Sequence, residues 1–448
     1  MSSHLHLPLP AGERVGERAV SIFLLLFASS ATAALPDSLT LDEALQLSRA
    51  NRPALRSARA QVEAADARAR QALAPLLPSA SLNLGYSRST ANFVARPGAI
   101  PSNVEISTTP SIRAYDYWSG SLQVNATLWD FGQSWYRYKA SLSSAQAQEA
   151  QERAEKRTSD YTVRSLFFAA ASQRELAEIA RVALENTAEH LKQIEGLVRV
   201  GTRPEIDLAQ AKADQANARL ALLNAKNAYA VARARVTQAL GVDAPPTWDV
   251  AQPLVEVDAE SQELTALIPE ALSARPEEAA LRAQVEAQQR TIQSTRGAYF
   301  PSLGVQLGGT LASRDLPTIV PNLSGQVNLS WPLYEGGVTQ ARMREGEATL
   351  RQLEAQRDEL TLQVRFELQQ ALLDVGAAKE AVDVAAEATA AAVERLRLAE
   401  GRYRAGSGSA LELSDAQLAS TRAAGQEVQM KFSLATARAA LVAALGRD

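Results

Sequence analysis

Two carboxylates, Glu412 and Asp415, stand three positions apart, just after the turn Tyr403-Arg404-Ala405-Gly406-Ser407-Gly408-Ser409. On a helix that spacing puts both on one face, where paired negative charge attracts cations. Ser409-x-x-Glu412 also fits a capping box, in which Glu412 only steadies the helix start. Asp207 occupies the matching acidic position after an earlier turn of the same kind, Glu195-Gly196-x-x-Arg199-x-Gly201-Thr202. The chain offers little other chemistry. It contains no cysteine, which excludes disulfides, thiolate metal sites and cysteine nucleophiles. Of three histidines, His4 and His6 fall in a stretch that reads as removed on export, which leaves His190. A lone histidine on a long helix reads as structural or solvated, so no metal is expected. There is no Gly-x-Ser-x-Gly elbow, no phosphate-cradling Gly-Lys loop and no HExxH, so neither an enzyme nor a cofactor is expected. Forty-six Lys and Arg balance 50 Asp and Glu across 448 residues, for a net charge of −4. That balance argues against a nucleic-acid binder.

The elements that must position these carboxylates begin with an export signal. Arg14 and Arg18 precede an apolar run from Ala19 to Ala28, and Ala31-Thr32-Ala33 offers a cleavage site. Residues 1–33 therefore read as a signal peptide. No cysteine follows the site, so anchoring through a lipidated cysteine is excluded. After Ala34 no uninterrupted apolar run reaches the length of a membrane-spanning helix. The protein is expected to leave the cytoplasm without a helical anchor.

The remainder is a duplication. Ala44-Leu45 with Arg52-Pro53 recurs as Ala271-Leu272 with Arg275-Pro276, an offset of 223 that also carries Leu77-Pro78-Ser79 onto Phe300-Pro301-Ser302. Further on, the offset is 205: Asp130-Phe131-Gly132 lands on Glu335-Gly336-Gly337, and Leu240-Gly241 on Leu445-Gly446. One insertion of 18 residues in the first copy, between Tyr86 and Asp130, accounts for the change. Each copy reads helix, strand, loop, strand, very long helix, turn, helix. The first repeat spans 34–240, with strands at 79–88 and 117–130, a long helix at 131–200 and a return helix at 204–240. A proline-rich linker, or equatorial segment, covers 241–264. The second repeat spans 265–448, with strands at 302–312 and 323–334, a long helix at 337–405 and a return helix at 409–446.

The strands alternate apolar residues with Ser, Thr, Asn, Gln and Gly, and run about 9–11 residues, as transmembrane β-strands do. From these strands alone a half-buried soluble sheet remains the alternative. The aromatics favour the membrane. Trp129, Phe131, Tyr299, Phe300, Trp331 and Tyr334 all lie at the helix-side strand ends, as one interfacial girdle would. Four strands cannot close a barrel, and open edges are not tolerated in lipid, so more than one protomer must pool strands. The long helices carry a coiled-coil-like seam, Leu350, Leu353, Leu360, Val364, Leu368, Leu372 and Val375 in the second copy.

With its export signal, duplicated helix–strand–strand–helix unit and two EGxxRxG[TS] turns, the chain resembles the TolC-like outer membrane efflux proteins from about Leu39 to Gly446. The resemblance implies a homotrimer in the outer membrane of a Gram-negative bacterium. Its fold would be mainly α with transmembrane β, a 12-stranded barrel continuous with a long periplasmic α-helical barrel. Such a channel is a passive exit duct, serving tripartite efflux or type I secretion with a periplasmic adaptor and an inner-membrane pump. The resemblance further implies that Glu412 and Asp415 form lumenal acidic rings at the tapered end. Asp207 and Tyr403 would join a latch that holds it closed. Where some family members carry Arg in the second turn this chain has Gly408, leaving Arg203 as the nearby cation. The turns at Gly201-Thr202 and Gly406-Ser407 end the longest helices and are expected to dock the adaptor. A periplasmic coiled-coil adaptor or a trimeric fibre is the alternative, though neither needs duplicated amphipathic strands.

Overall fold

The computed structural model describes residues 37–90, 112–251, 264–313 and 318–447. The signal peptide expected at 1–33 lies outside them.

The first copy comprises β1 (Ser38–Leu39), α1 (Leu41–Asn51), α2 (Pro53–Leu73), β2 (Ser79–Thr90), β3 (Ala114–Trp129), α3 (Gln133–Arg199) and α4 (Glu205–Leu240). After β4 (Asp249–Val250), the second repeats the series as α5 (Leu264–Ala274), α6 (Pro276–Gly297), β5 (Ser302–Ser313), β6 (Val320–Ser330), α7 (Val338–Arg404) and α8 (Ala410–Leu445). The copies match closely in length. α3 and α7 have 67 residues each, about 100 Å at 1.5 Å per residue, and α4 and α8 have 36 each.

β2, β3, β5 and β6 form one antiparallel sheet in that order. Its register sorts the side chains by face. Ser79, Asn125, Gln306 and Gln326 form one cross-strand row, and Ala80, Val124 and Leu307 form the next. No described residue covers the apolar face: Leu84 is 78% and Leu323 88% exposed. Exposed leucines at that density need an apolar solvent or partner.

Helices continue the sheet in the same order, with α3 packed between α2 and α6, and α6 against α7. Farther from the sheet the order becomes α4, α3, α8, α7. Part of the predicted seam on α7 closes the core there: Val364, Leu368 and Val375 are buried with Leu267, Leu441 and Leu445. α8 contains an 18-residue window of mean hydropathy 1.2, enough in length and composition to cross a membrane. Its apolarity comes largely from alanine, and it runs packed along α7 and α3.

Each long helix begins at a left-handed junction. In the second copy Gly336 and Gly337 supply it, at φ +64° and +80°. In the first, Phe131 takes the place of Gly336 at φ +52°, the one non-glycine with positive φ among the described residues. That conformation costs about 1–2 kcal/mol for a residue with a Cβ. Phe131 offsets it by stacking on Phe300, centroids 4.8 Å apart, and meeting the edge of Trp129 at 6.0 Å. The Asp130 carboxylate accepts from the N–H of Gly132 and Ser134, capping α3.

The segment between copies is more than a tether. β4 pairs in parallel with β1, and Trp248 is fully buried with Phe167, Phe168 and Leu240. Its indole N–H donates to Thr237 Oγ1 at 3.1 Å. Two-residue strands are too short to leave a periodic signal in the sequence.

Candidate functional site

The end of the molecule farthest from the sheet is built from two turns of nearly identical backbone. At the first, Gly201 has φ +74°, its N–H donates to Val198 O, and Thr202 N–H donates to Leu197 O. At the second, Gly406 has φ +76°, and Gly406 and Ser407 donate to Tyr403 and Arg402 in the same pattern. Both are Schellman closures, which satisfy the last carbonyls of a helix and favour glycine at the left-handed position. The hydroxyls of Thr202 and Ser407 reach back to Leu197 O and Arg402 O respectively.

The side chains around these turns differ between copies. Arg203 leaves the first turn and crosses to the second copy. Its guanidinium lies 4.4 Å from the Tyr403 ring centroid, donates to Tyr403 O at 3.2 Å and stands 3.9 Å from Asp207. Tyr403 is 6% exposed, packed among Ile194, Ala211, Ala399, Leu413 and Ala416. Its hydroxyl is buried and has no hydrogen-bond partner among the described residues, and burial pushes its pKa up. His190 meets the same ring edge-on at 5.3 Å. Burial holds the His190 imidazole below its ordinary value, against the opposing pull of Asp214, Asp207 and Glu400. Arg203, Asp207 and Tyr403, singled out from sequence, thus form one cluster with His190, which was not.

Glu412 stands apart from it. Ser409 Oγ accepts from Glu412 N at 3.1 Å, so Ser409 caps α8. The Glu412 carboxylate does not complete the capping box; it pairs with Arg402 at 3.1 Å. Arg402 is thus a second cation at the tip beside Arg203. Gly408 has its own reason. A Cβ there would lie 3.0 Å from Tyr403 N and 3.1 Å from Arg402 C, crowded against the backbone whose carbonyl the Gly408 N–H binds. Asp415 is exposed on α8. A further bond between copies, Ser414 Oγ to Asp214 Oδ2 at 2.9 Å, escaped the sequence reading. Its signal was there: Asp214 and Ser414 are each matched by alanine at the 205 offset, Arg203 by Gly408 and Arg402 by Leu197.

At the opposite end of α3 and α7 the six girdle aromatics are all exposed. Phe131 stacks on Phe300 and meets Trp129 edge-on, and Trp331 donates its indole N–H to Tyr299 O at 3.2 Å.

Comparison with known proteins fits this arrangement. The chain is 27% identical over 415 residues to Protein CyaE of Bordetella pertussis, covering 92% of this chain and 84% of that one. It is also 27% identical over 438 residues to the pyoverdine export outer membrane protein OpmQ of Pseudomonas putida, with 93% and 90% covered. The fold matches the crystal structure of the Campylobacter jejuni CmeC outer membrane channel with a TM-score of 0.77, at 20% identity over 99% of this chain and 94% of that one. The profile of the family described as outer membrane efflux protein matches residues 44–242 and 267–447. With those two blocks covering both copies of the duplicated unit, the chain belongs to the outer membrane efflux protein family, the channels through which efflux and type I secretion systems cross the outer membrane.

Proposed function

We propose that three copies of the chain close one 12-stranded barrel above a tapered periplasmic tunnel, and that this trimer is the exit duct for a periplasmic adaptor and an inner-membrane pump. The observation that carries the reading is the pair of open flanks on a protomer whose apolar sheet face is bare. Among the described residues β2 and β6 end the sheet unpaired. Below them α4 and α7 end the helical layer, with Leu362, Phe366 and Leu373 exposed on α7 and Leu220 and Leu223 on α4. Unpaired strand edges cannot remain in hydrocarbon, so β6 of one copy meets β2 of the next, and α7 meets α4. Twelve strands also satisfy the minimum of about eight needed for closure.

In this reading Trp129, Phe131, Tyr299, Phe300, Trp331 and Tyr334 mark the periplasmic surface of the membrane. The turns at Gly201-Thr202 and Gly406-Ser407 form the adaptor-docking tips. Glu412 and Asp415 repeat around the threefold axis as acidic rings. Arg203, clasping Tyr403 and Asp207, holds the two hairpins of each protomer together and keeps the end narrow. Multi-angle light scattering of the detergent-extracted protein should give three chains per particle. A monodisperse monomer that stays in solution without detergent would refute the proposal.

A further inference from the structure

The far end of the sheet carries a detail that closing a barrel does not require. On the apolar face, Gly120 of β3 stands between Leu84 of β2 and Leu311 of β5 in one cross-strand row. With no side chain between the two leucines, a slot of about 450 Å³ opens over the strand backbone. A Cβ at Gly120 would stand 3.2 Å from Leu84 Cδ2 and 4.0 Å from Leu311 Cβ. One row farther from the helices, Tyr86, Trp118 and Ser313 end the slot, with the two ring centroids 4.5 Å apart.

Ser313 is the residue that barrel packing leaves unexplained. It is 5% exposed, and its buried Oγ has no hydrogen-bond partner among the described residues. On the polar face, by contrast, the hydroxyls of Ser79, Ser119 and Ser324 donate to backbone carbonyls of neighbouring strands. A buried hydroxyl is normally paired, and on a face turned to hydrocarbon no water is at hand to pair it. The polar groups just beyond are engaged with one another: the Tyr86 hydroxyl donates to Asp116 at 2.8 Å, and Arg88 stands 3.6 Å from the same carboxylate. An apolar slot therefore ends in one hydroxyl that lacks an acceptor.

The depth of the slot indicates its occupant. Trp118 and Trp129 are eleven residues apart on β3. That is about 36 Å of strand, or about 28 Å along the membrane normal at a tilt of about 40°. The apolar band of a transmembrane barrel is about 25 Å tall and bounded by aromatics on both sides. With Trp129 at the periplasmic boundary, Trp118 and Ser313 lie at the opposite one, where acyl chains meet their ester linkages. An ester carbonyl accepts a hydrogen bond and has none to give, which matches a hydroxyl without an acceptor. We propose that the slot seats one acyl chain of a membrane lipid, whose ester carbonyl accepts from Ser313 Oγ. The proposal rests on the reading of the sheet as part of a transmembrane barrel. Under threefold symmetry it gives three equivalent lipid sites.

Native mass spectrometry of the trimer in detergent tests it, with equal amounts of diester phosphatidylglycerol and its diether analogue, which lacks the carbonyls. The wild type should retain the diester about fivefold more, the order expected of one hydrogen bond. Ser313→Ala should hold the two equally. Gly120→Leu, which fills the slot, should retain both at least about tenfold more weakly. Gly325→Leu, on the same face of β6 and outside the slot, should behave as wild type does. No preference for the diester in the wild type, or a preference that survives in Ser313→Ala, would overturn the hydrogen bond. Retention by Gly120→Leu equal to that of the wild type would overturn the slot. Trimer mass is read in the same spectra, so a protein that stays monomeric, which would refute the underlying barrel, is distinguished from a trimer without bound lipid.

Discussion

The two turns at the tip share one backbone and several side chains, and diverge in a few that reach away from it. Gly201 and Gly406 have almost the same φ, and both helices end in the same pair of hydrogen bonds. Yet Arg203 faces Gly408 across the repeat, Arg402 faces Leu197, and Tyr403 faces Val198. The shared part closes each helical hairpin by itself. The divergent part ties one hairpin to the other, as Arg203 does to Tyr403 and Asp214 to Ser414. The contacts between hairpins fall where the copies differ, so the departures from the repeat mark the joints between them.

The largest expected effect comes from breaking the shared part. Gly201→Val with Gly406→Val places a β-branched residue at positive φ twice, at about 1–2 kcal/mol each. A Cβ at either position would have nothing within 4 Å, so the cost is in the backbone and the rest of the chain is spared. Efflux measured in cells should fall at least about tenfold while trimer yield is unchanged, the order expected for a misplaced docking loop. Intact efflux would remove the turns from the docking surface.

The divergent part is tested by two arginines. Arg203→Ala removes a contact between hairpins and should raise planar-bilayer conductance several-fold. Arg402→Ala removes only an exposed pair within one hairpin, a contribution of below about 1 kcal/mol, and should leave conductance near wild type. Equal responses would show that the asymmetry is not what holds the end narrow.

Asp415 and Glu412 separate in the same way. Asp415→Asn should weaken block by a trivalent cation added from the periplasmic side, and more so at low salt. Glu412→Gln should do less, because its carboxylate is already paired with Arg402. Block that survives in the double variant would take both carboxylates out of the lumen.

The smallest effect belongs to His190. It is faced by Asp207 and Asp214 from α4, Glu400 and Tyr403 from α7, and Arg203 from the turn. Its depressed pKa means that the packed tip favours the neutral ring. That stabilisation is complete above the ordinary value of about 6.5 and is lost as pH falls toward the depressed one. Acidification from pH 7.5 to 5.5 should therefore raise conductance modestly, and His190→Gln should flatten the response.

The architecture was legible in the sequence because duplication wrote it twice. Alternation in β5 and β6 repeats that of β2 and β3, so chance patterns in one copy are checked by the other. The joints at the tip were only half legible. Arg203, Asp207 and Tyr403 were singled out through resemblance, whereas Arg402, Asp214 and Ser414 join residues that no local pattern connects. Asp214 and Ser414 meet across 200 positions. Phe131 hid differently: its place opposite Gly336 was visible in the alignment of copies, but its positive φ depends on Phe300, far along the chain.

The mid-length cores have a mechanical consequence. Phe167 and Phe168, fully buried with Trp248, lie almost halfway along α3, and Val364 to Val375 lie near the middle of α7. Each long helix is thus a lever with its fulcrum at the centre and arms of roughly 50 Å. Over such an arm a tilt of about 5° displaces the end by about 4 Å, nearly the pitch of one helical turn. Because the strands at the other end are fixed in their hydrogen-bonded ladder, the sheet-side arm stays in place and the motion is a bend of each helix at the pivot. In the proposed trimer, work done on the turns would widen the passage at the tip in that way.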